Sequence, residues 1–523
     1  MKVFKGTVIT CNQNYDTYQY LVEDAGKIIY IGDNLPEKYQ KAEIYELGDK
    51  ALIPTFSDNH THFATYAILS MALMVGEATS NVQIKEMIAN KYNLGKKDKF
   101  VFAFGASGTK VKEKRLITKK EIDEVCPDKH AVIITADGHS LIVNSKTLNY
   151  LPSKISKIRG YNAETGIMRN EAFYEVVNSI SSLLSKKAII KAFQGTIDNM
   201  VERGIGHFIC CAGGTFPKDL DVNMLIWTSK GQTSGVQMRI LYQTFDVDKV
   251  KKKKLNRLGG CFETALDGSL GSGDAALIEP YKDTKSNGIL FHKDDELFEK
   301  VAKANEEGIQ VQMHAIGDAA FNQGVQAIKY ALDKHPRENH RHGIIHASMA
   351  TPEGIEICAK YNIQILAQFA FIDVEGELFD PMYKILGERV YKAEPYRQML
   401  DNGIVVSGGS DAAVTMPNPI EWLNKACNNP NYKNQLTIKE ALRACTYNGY
   451  YSTFDEDKRG SLEKGKIADM VILNKNPYEL PKNKISTLKV EKTFLQGKEF
   501  RRNSTNLIKA IIKGIFDKKS TNF

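Results

Sequence analysis

Residues 51–62 read ALIPTFSDNHTH and join an apolar run to two histidines one residue apart. Residues i and i+2 of a β-strand point to the same side, so His60 and His62 share a face, with Asp58 on it too. Two imidazoles on one face, where a strand runs into a loop, can bind one metal ion. An isolated His-x-His has no role in many proteins, so the other ligands must be found elsewhere in the chain.

The middle of the chain alternates short apolar runs with longer amphipathic stretches. The run GIQVQMHAIGD (308–318) precedes AAFNQGVQAIKYALDKH (319–335), and HGIIHAS (342–348) precedes TPEGIEICAKY (351–361). The repeated order strand, loop, helix predicts a parallel sheet. The number of units favours an α/β fold of the (β/α)₈ TIM-barrel type. The alternative is a doubly wound open sheet, which no GxGxxG sequence supports.

Both ends of the chain have a different sequence pattern, which predicts short strands separated by glycine turns. We expect residues 1–53 and 460–502 to form one small β-sandwich, and residues 54–459 to form the barrel. The stretch of about 67–185 does not follow the repeated order of strand, loop and helix. It is predicted to be an insertion that reaches over one barrel face. In residues 503–523, apolar side chains recur at helical spacing and predict an amphipathic helix. This helix is expected to dock on the barrel or on a partner subunit, with a basic membrane-surface helix as the alternative.

The composition is that of a globular protein: the 523 residues are 42% hydrophobic and 25% charged, with a formal net charge of +8. The eight cysteines form no CxxC pair, which in a chain this long indicates reduced thiols of a cytoplasmic protein. No apolar run reaches the length of a membrane span, and the N-terminus does not resemble a signal peptide. Basic clusters such as 251–254 lack interleaved aromatic residues, so no nucleic-acid partner is expected.

Functional residues of a TIM barrel gather at the carboxyl ends of its strands. Just past the apolar runs of this chain lie His60, His62, His314, His346 and Asp411. Taken singly, His314 or His346 fits a hydrogen-bonded core histidine, and Asp411 fits a helix N-cap. The joint pattern is harder to explain in that way, because the chain has 11 histidines and four of them fall at strand ends. Histidine and carboxylate ligands around an open position predict a catalytic Zn²⁺ or a similar divalent ion, as one or two ions.

The same residues carry a resemblance to a known family. The order His-x-His, His, His and a late Asp resembles the ligand order of the amidohydrolase superfamily. Five stretches resemble the branch of N-substituted formamide deformylase: TADGHSLIVNSKTL (135–148), ALDGSLGS (265–272), QMHAIGDAAF (312–321), GGSDAAV (408–414) and GSLEKGKIADMVIL (460–473). The resemblance implies a metal-bearing TIM barrel with a β-sandwich built from both termini.

The chain departs from the family pattern at two positions. Thr55 stands where the family has glycine before the first ligands. Glu263 stands where many members have a carboxylated lysine that bridges two metal ions. A glutamate already carries a carboxylate, so Glu263 is predicted to be the bridging metal ligand. A salt-bridge role for Glu263 is the alternative.

The ligand set predicts a metal-dependent hydrolase. The resemblance implies that it cleaves a C–N bond of an amide, N-formyl or N-acyl group in a small molecule. Asp411 is the expected proton shuttle, because a carboxylate beside the metal can take a proton and later deliver it. The family motif implies that His139 contacts the substrate and helps catalysis. Asp267 and Asp318 are expected to orient other groups rather than to bind the metal. No organic cofactor site is visible, and a homodimer is left open. The alternatives are a non-catalytic scaffold, a redox or lyase enzyme, and a deaminase or cyclic-amide hydrolase of the same superfamily.

Overall fold

The computed structural model describes residues 1–95, 100–136, 140–180, 183–371, 379–504 and 506–517. In these residues the strands are, in chain order, β1 Lys2–Ile9, β2 Thr17–Asp24, β3 Lys27–Gly32, β4 Glu43–Pro54, β5 Phe56–Thr61, β6 Leu73–Met74, β7 Phe100–Ala106, β8 His130–Thr135, β9 Ser140–Val143, β10 Ile167–Arg169, β11 Ile205–Ala212, β12 Gln237–Tyr242, β13 Arg257–Ala265, β14 Gln310–Ala315, β15 Gly343–His346, β16 Gln364–Ala367, β17 Val406–Gly408, β18 Met470–Leu473, β19 Val490–Leu495 and β20 Lys498–Glu499.

The α-helices of the described residues follow in the same order. They are α1 Phe63–Leu69, α2 Asn81–Leu94, α3 Lys119–Asp123, α4 Ser145–Leu148, α5 Asn170–Ile180, α6 Lys186–Glu202, α7 Leu220–Gly231, α8 Val247–Lys252, α9 Asp294–Glu306, α10 Asp318–Lys334, α11 Pro352–Lys360, α12 Phe379–Leu386, α13 Tyr396–Asp401, α14 Pro419–Cys427, α15 Ile438–Ala444, α16 Tyr447–Ser452 and α17 Leu507–Phe516.

Eight parallel strands form the central sheet, in the order β5, β11, β12, β13, β14, β15, β16, β17. The backbone N–H of Asp411 donates to the carbonyl of His60 at 2.8 Å, and the N–H of His62 donates to the carbonyl of Ala412 at 2.7 Å. These bonds bring the two outer strands β5 and β17 together at their carboxyl ends. The sheet is therefore a nearly closed barrel, as predicted, and the open-sheet alternative is wrong.

Helices cover the barrel because their apolar faces match its outer surface. Phe321, Val325, Ile328 and Leu332 are buried on α10 with a spacing of three or four residues, which is one face of a helix. Inside the barrel, a cluster of Ile209, Cys211, Leu241, Ile345 and Leu366 fills the layer between its two ends. The two ends are thereby separated by packed apolar side chains.

Strands from both termini form a second sheet, in the order β20, β19, β18, β4, β1, β2, β3. Its core includes Phe4, Leu52, Met470 and Phe494. The predicted fold class is confirmed, since a TIM barrel is joined to a small β domain made from both ends of the chain. Strand β4 belongs to the terminal sheet and β5 to the barrel, and only Thr55 separates them.

The described chain forms two compact units. One comprises Met1–Phe63, Ile197–Gly214 and Asp219–Phe523, and the other comprises Ala64–Thr196 and Thr215–Lys218. The second unit contains a five-stranded sheet in the order β10, β9, β8, β7, β6 with its own apolar core. The predicted domain boundaries, including the insertion at about 67–185 and the helical segment 503–523, stay predictions.

Helix α17 packs against α7 through small residues. A side chain added at Gly514 would place its Cβ 1.9 Å from the carbonyl oxygen of Trp227, and one added at Gly231 would lie 1.8 Å from that of Ala510. The two backbones thus approach each other closely because glycine lines the contact. Leu507 on α17 is buried, whereas Phe516 at its end is 78% exposed. Among the helices of the described residues, none is long and apolar enough to cross a bilayer.

Candidate metal centre

Three donor atoms converge at the carboxyl end of the barrel. Nε2 of His60 and Nε2 of His62 each lie 3.2 Å from Oδ1 of Asp411. The side chain of His60 is fully buried, and those of His62 and Asp411 are 16% and 6% exposed. The predicted ligands of β5 and of the loop after β17 are therefore brought together in space.

The sequence around His60 explains how the loop of Asp411 is held. Asp58 is buried, and its carboxylate accepts hydrogen bonds from the backbone N–H and the hydroxyl of Ser410 at 2.8 and 2.6 Å. Burial raises the pKa of Asp58 to about 7, although the bonds from Ser410 and His60 oppose the shift. Asp58 thus fixes the loop that carries Asp411 to the strand that carries the two histidines.

A second group of donors shares His60 with the first. One ligand atom from each of His60, Cys261 and His346 lies within 4.8 Å of the others. Nδ1 of His346 lies 2.6 Å from Oε1 of Gln368, an acceptor, so Nδ1 carries the proton and Nε2 keeps its lone pair. Gln368 is itself fixed by Asn59, whose Oδ1 accepts from Nε2 of Gln368 at 3.4 Å.

His314 lies beside this group, with its ring centroid 4.6 Å from that of His346. Nδ1 of His314 is 3.3 Å from Oδ1 of the fully buried Asp267. Asp267 also accepts hydrogen bonds from the backbone N–H groups of Ala276, Ile316 and Gly317. Asp267 therefore lies directly behind His314, and its role as an orienting group stays a prediction.

Glu263 lies outside the donor cluster in this structure, and its role as the bridging ligand stays a prediction. Its position results from a bulge in β13: Gly260 pairs with Met313, but the next paired residue of β13 is Ala265, opposite His314. The extra residues turn Glu263 outward, where it is exposed and its Oε1 accepts from the backbone N–H of Phe245 at 3.2 Å. The same bulge turns Cys261 inward.

Cys261 is a candidate ligand that sequence reasoning missed. Its sulfur lies 3.9 Å from Nε2 of His60, whose Nδ1 is 3.2 Å from the sulfur of Cys211 on β11. A signal was present in the glycines 259 and 260 before Cys261, because paired glycines within a strand favour a bulge that changes which side chains point inward. His139, the predicted substrate contact, lies outside the described residues.

The electrostatics of the cluster fit a divalent cation. Burial lowers the pKa of His60, but Cys211 and Asp411 outweigh it, so the pKa of His60 lies well above its ordinary value. Burial also opposes ionisation of Asp411, yet His60 and His62 hold the pKa of its carboxyl well below the ordinary value. A buried carboxylate that favours protonated imidazoles also favours a metal ion in place of those protons, because the deprotonated imidazoles then offer their lone pairs.

Comparisons with known proteins agree with this geometry. The family model described as "Amidohydrolase family" matches residues 43–500. The chain belongs to the amidohydrolase family. The protein is accordingly a metal-dependent hydrolase acting on carbon–nitrogen bonds, as the sequence predicted, and the family implies a divalent metal.

Individual amidohydrolases align along nearly the whole chain. The putative amidohydrolase YtcJ of Bacillus subtilis is 26% identical over 94% of this chain and 97% of its own length. An N-substituted formamide deformylase of Arthrobacter pascens is 22% identical over 95% of this chain and 97% of its own length. A crystal structure of an uncharacterized metal-dependent hydrolase from Pyrococcus furiosus superposes with a TM-score of 0.75 at 22% identity, covering 91% of this chain and 100% of that one, and shows the shared fold.

Proposed function

We propose that the protein hydrolyses the C–N bond of an amide, N-formyl or N-acyl group in a small molecule, with Zn²⁺ as its metal. The observation that carries the proposal is the convergence of His60 and His62 on Oδ1 of Asp411, each at 3.2 Å. The similarity to an N-substituted formamide deformylase over nearly the whole chain supports the choice of bond.

The residues that would hold the metal form two groups. His60, His62 and Asp411 would bind one ion, and Cys261 and His346, with His314 beside them, would bind a second or share the first. Imidazole and thiolate donors suit Zn²⁺ better than Mg²⁺ or Ca²⁺, which prefer oxygen. When bound, the ion supplies Lewis acidity and lowers the pKa of a coordinated water toward neutrality.

Asp411 would move the proton in the reaction. Its carboxylate is ionised at neutral pH, because His60 and His62 hold its pKa well below the ordinary value. Such a carboxylate can accept a proton from the attacking water and deliver it to the leaving nitrogen. Gln368 and Asp267 would keep the lone pairs of His346 and His314 directed at the site. His139 stays a predicted substrate contact.

The proposal is tested by metal analysis of the purified protein combined with a substrate screen. The screen compares N-formyl amines, N-acyl amino acids, simple amides and cyclic amides, and measures release of amine and acid. We expect stoichiometric zinc and hydrolysis of at least one N-formyl or N-acyl compound, with no hydrolysis by the Asp411→Asn protein. A protein without metal that gains no activity on adding Zn²⁺ would be a scaffold. Turnover of cyclic amides alone would favour another branch of the superfamily.

A further inference from the structure

A cavity lies at the end of the barrel opposite to the candidate metal centre. Its volume is about 740 Å³, within the range of roughly 300–1,000 Å³ typical of small-molecule sites. Gln237, Asn256 and Gly308 in its wall stand at or just before the amino-terminal ends of β12, β13 and β14. Cys261 and His314 stand further along β13 and β14, toward the carboxyl ends, beyond the apolar layer inside the barrel. The cavity is therefore separate from the metal centre.

The wall of the cavity carries more positive than negative charge. It includes Arg239, Arg337 and Lys458 but a single carboxylate, that of Asp455. Arg239 engages this carboxylate with two hydrogen bonds, from Nε at 2.8 Å and from Nη2 at 2.7 Å. Arg337 and Lys458 have no ion pair to an acidic group of the described chain, so two cations of the wall are uncompensated.

A buried arginine adds a third cation next to the wall. Arg257 is 1% exposed and directly follows the wall residue Asn256. Its Nη2 donates to the carbonyl of Thr453, another wall residue, at 3.4 Å. Its Nε and Nη1 have no hydrogen-bond partner among the residues that the structure describes. A buried charge with unmet hydrogen bonds destabilises a folded protein, and an anion in the adjacent cavity would offset that cost.

We propose that the cavity binds a small organic oxyanion, a phosphate or carboxylate compound, through Arg337 and Lys458 of its wall, with the buried charge of Arg257 behind the wall at Thr453. An arginine fork matches the geometry of either oxyanion, and a lysine adds a point charge. Val236 and Phe454 also line the cavity and offer apolar surface to the organic part of the ligand. This site is independent of the proposed hydrolysis, because none of its residues belongs to the metal cluster.

The test measures binding of inorganic phosphate and of succinate to the zinc-loaded protein by titration calorimetry at constant ionic strength. The decisive variant is Arg337→Gln/Lys458→Gln, which changes two residues at the cavity rim. Its matched control is Lys112→Gln/Lys120→Gln, which removes the same charge from exposed positions elsewhere. We expect at least tenfold weaker binding to the rim variant and unchanged binding to the control. Preference for phosphate or for succinate identifies which oxyanion the site takes.

A second variant, Arg257→Met, tests the buried cation. We expect it to lose the rise in Tm that the bound anion gives the wild type, without losing Tm in the absence of the anion. If this variant does not fold, the rim variant decides alone. Failure of the wild type to bind either anion overturns the proposal. Equal binding to the rim variant and the wild type also overturns it, since the anion would then bind elsewhere, as at the metal centre.

Discussion

Oδ1 of Asp267 lies 3.3 Å from Nδ1 of His314, which puts a fully buried carboxylate directly behind one imidazole of the metal cluster. Three backbone N–H groups hold the same carboxylate in place, from Ala276, Ile316 and Gly317. A carboxylate held in this way can orient the imidazole beside it. Partners of this kind determine how well a histidine binds metal.

We expect Asp267→Asn to weaken zinc binding by about 10–100-fold, because an amide orients the imidazole less strongly and cannot raise its basicity. Zinc affinity is measured by competition with a chromophoric chelator. Asp318→Asn is the control, since Asp318 caps backbone N–H groups of Ile278 and Ala319 away from the cluster. Equal zinc affinity in the Asp267→Asn protein and the wild type would remove Asp267 from this role.

Cys261→Ser and Glu263→Gln separate the two candidate ligands of β13. In the Co²⁺-loaded protein we expect a near-ultraviolet thiolate-to-metal charge-transfer band that disappears in Cys261→Ser. Metal occupancy should fall in the same variant, because an alcohol is a much poorer ligand than a thiolate. Glu263→Gln should retain both the band and the occupancy, since its side chain is exposed. The reverse result would show that the bulge of β13 differs in the metal-bound protein.

Asp411→Asn should reduce kcat on an identified substrate by about 10²–10⁴-fold, the usual contribution of a positioned proton shuttle. The fold should persist, because the backbone bond between Asp411 and His60 does not involve the carboxylate. Circular dichroism checks the fold, and zinc analysis separates a loss of proton transfer from a loss of metal. More than half of the wild-type kcat in a zinc-loaded variant would exclude Asp411 as the shuttle.

His207 should make the protein sensitive to acid. Its side chain is fully buried between Ser57 and Thr453, and burial lowers the pKa of His207 to about 3. In the unfolded chain its pKa is about 6.5, so the unfolded state binds the additional proton first. The stabilisation from neutral His207 is therefore complete above about pH 6.5 and is lost as the pH falls toward 3.

From about pH 6.5 to 5 this loss amounts to roughly 2 kcal/mol of unfolding free energy, at 1.36 kcal/mol for each pH unit. Urea unfolding at pH 7.5 and 5.0 with saturating zinc measures it. In His207→Gln the drop between the two pH values should be smaller by that amount, whereas His335→Gln should behave as the wild type. Protonation of the predicted zinc-ligand histidines lowers the unfolding free energy equally in the wild type and both variants. The difference between the proteins therefore reports on His207.

Gly514→Leu should detach α17 from α7, because a Cβ at this position would lie 1.9 Å from the carbonyl oxygen of Trp227. We expect a lower Tm and faster tryptic cleavage after Arg501, Arg502, Lys509 and Lys513. Ile512→Leu is the control, since Ile512 is 52% exposed. Unchanged cleavage of Gly514→Leu would mean that α17 is held by contacts other than this close approach.

The sequence predicted those parts of the site that follow the regular alternation of side chains along a strand and the order of strands in a parallel sheet. His60 and His62 share a strand face, and Asp411 follows the last barrel strand, so parallel-sheet geometry was enough to bring them together. Glu263 could not be placed in this way, because the bulge after Gly260 changes the phase of β13. Cys261 and Gln368 were missed for a related reason. The role of a cysteine or a glutamine cannot be inferred before its neighbours in space are known. That these residues bind a metal stays a prediction.

The single residue between β4 and β5 limits where recombination could exchange the β domain of this chain for that of a relative. Because Thr55 alone separates the terminal sheet from the strand that bears His60, a recombination joint between the two domains would fall within five residues of the first predicted ligand. Exchange of the β domain between relatives would place a foreign sequence directly before the strand that bears His60 and His62. The two domains are therefore expected to descend together as one genetic module, and designs that graft a new β domain need to keep 51–62 from the parent barrel.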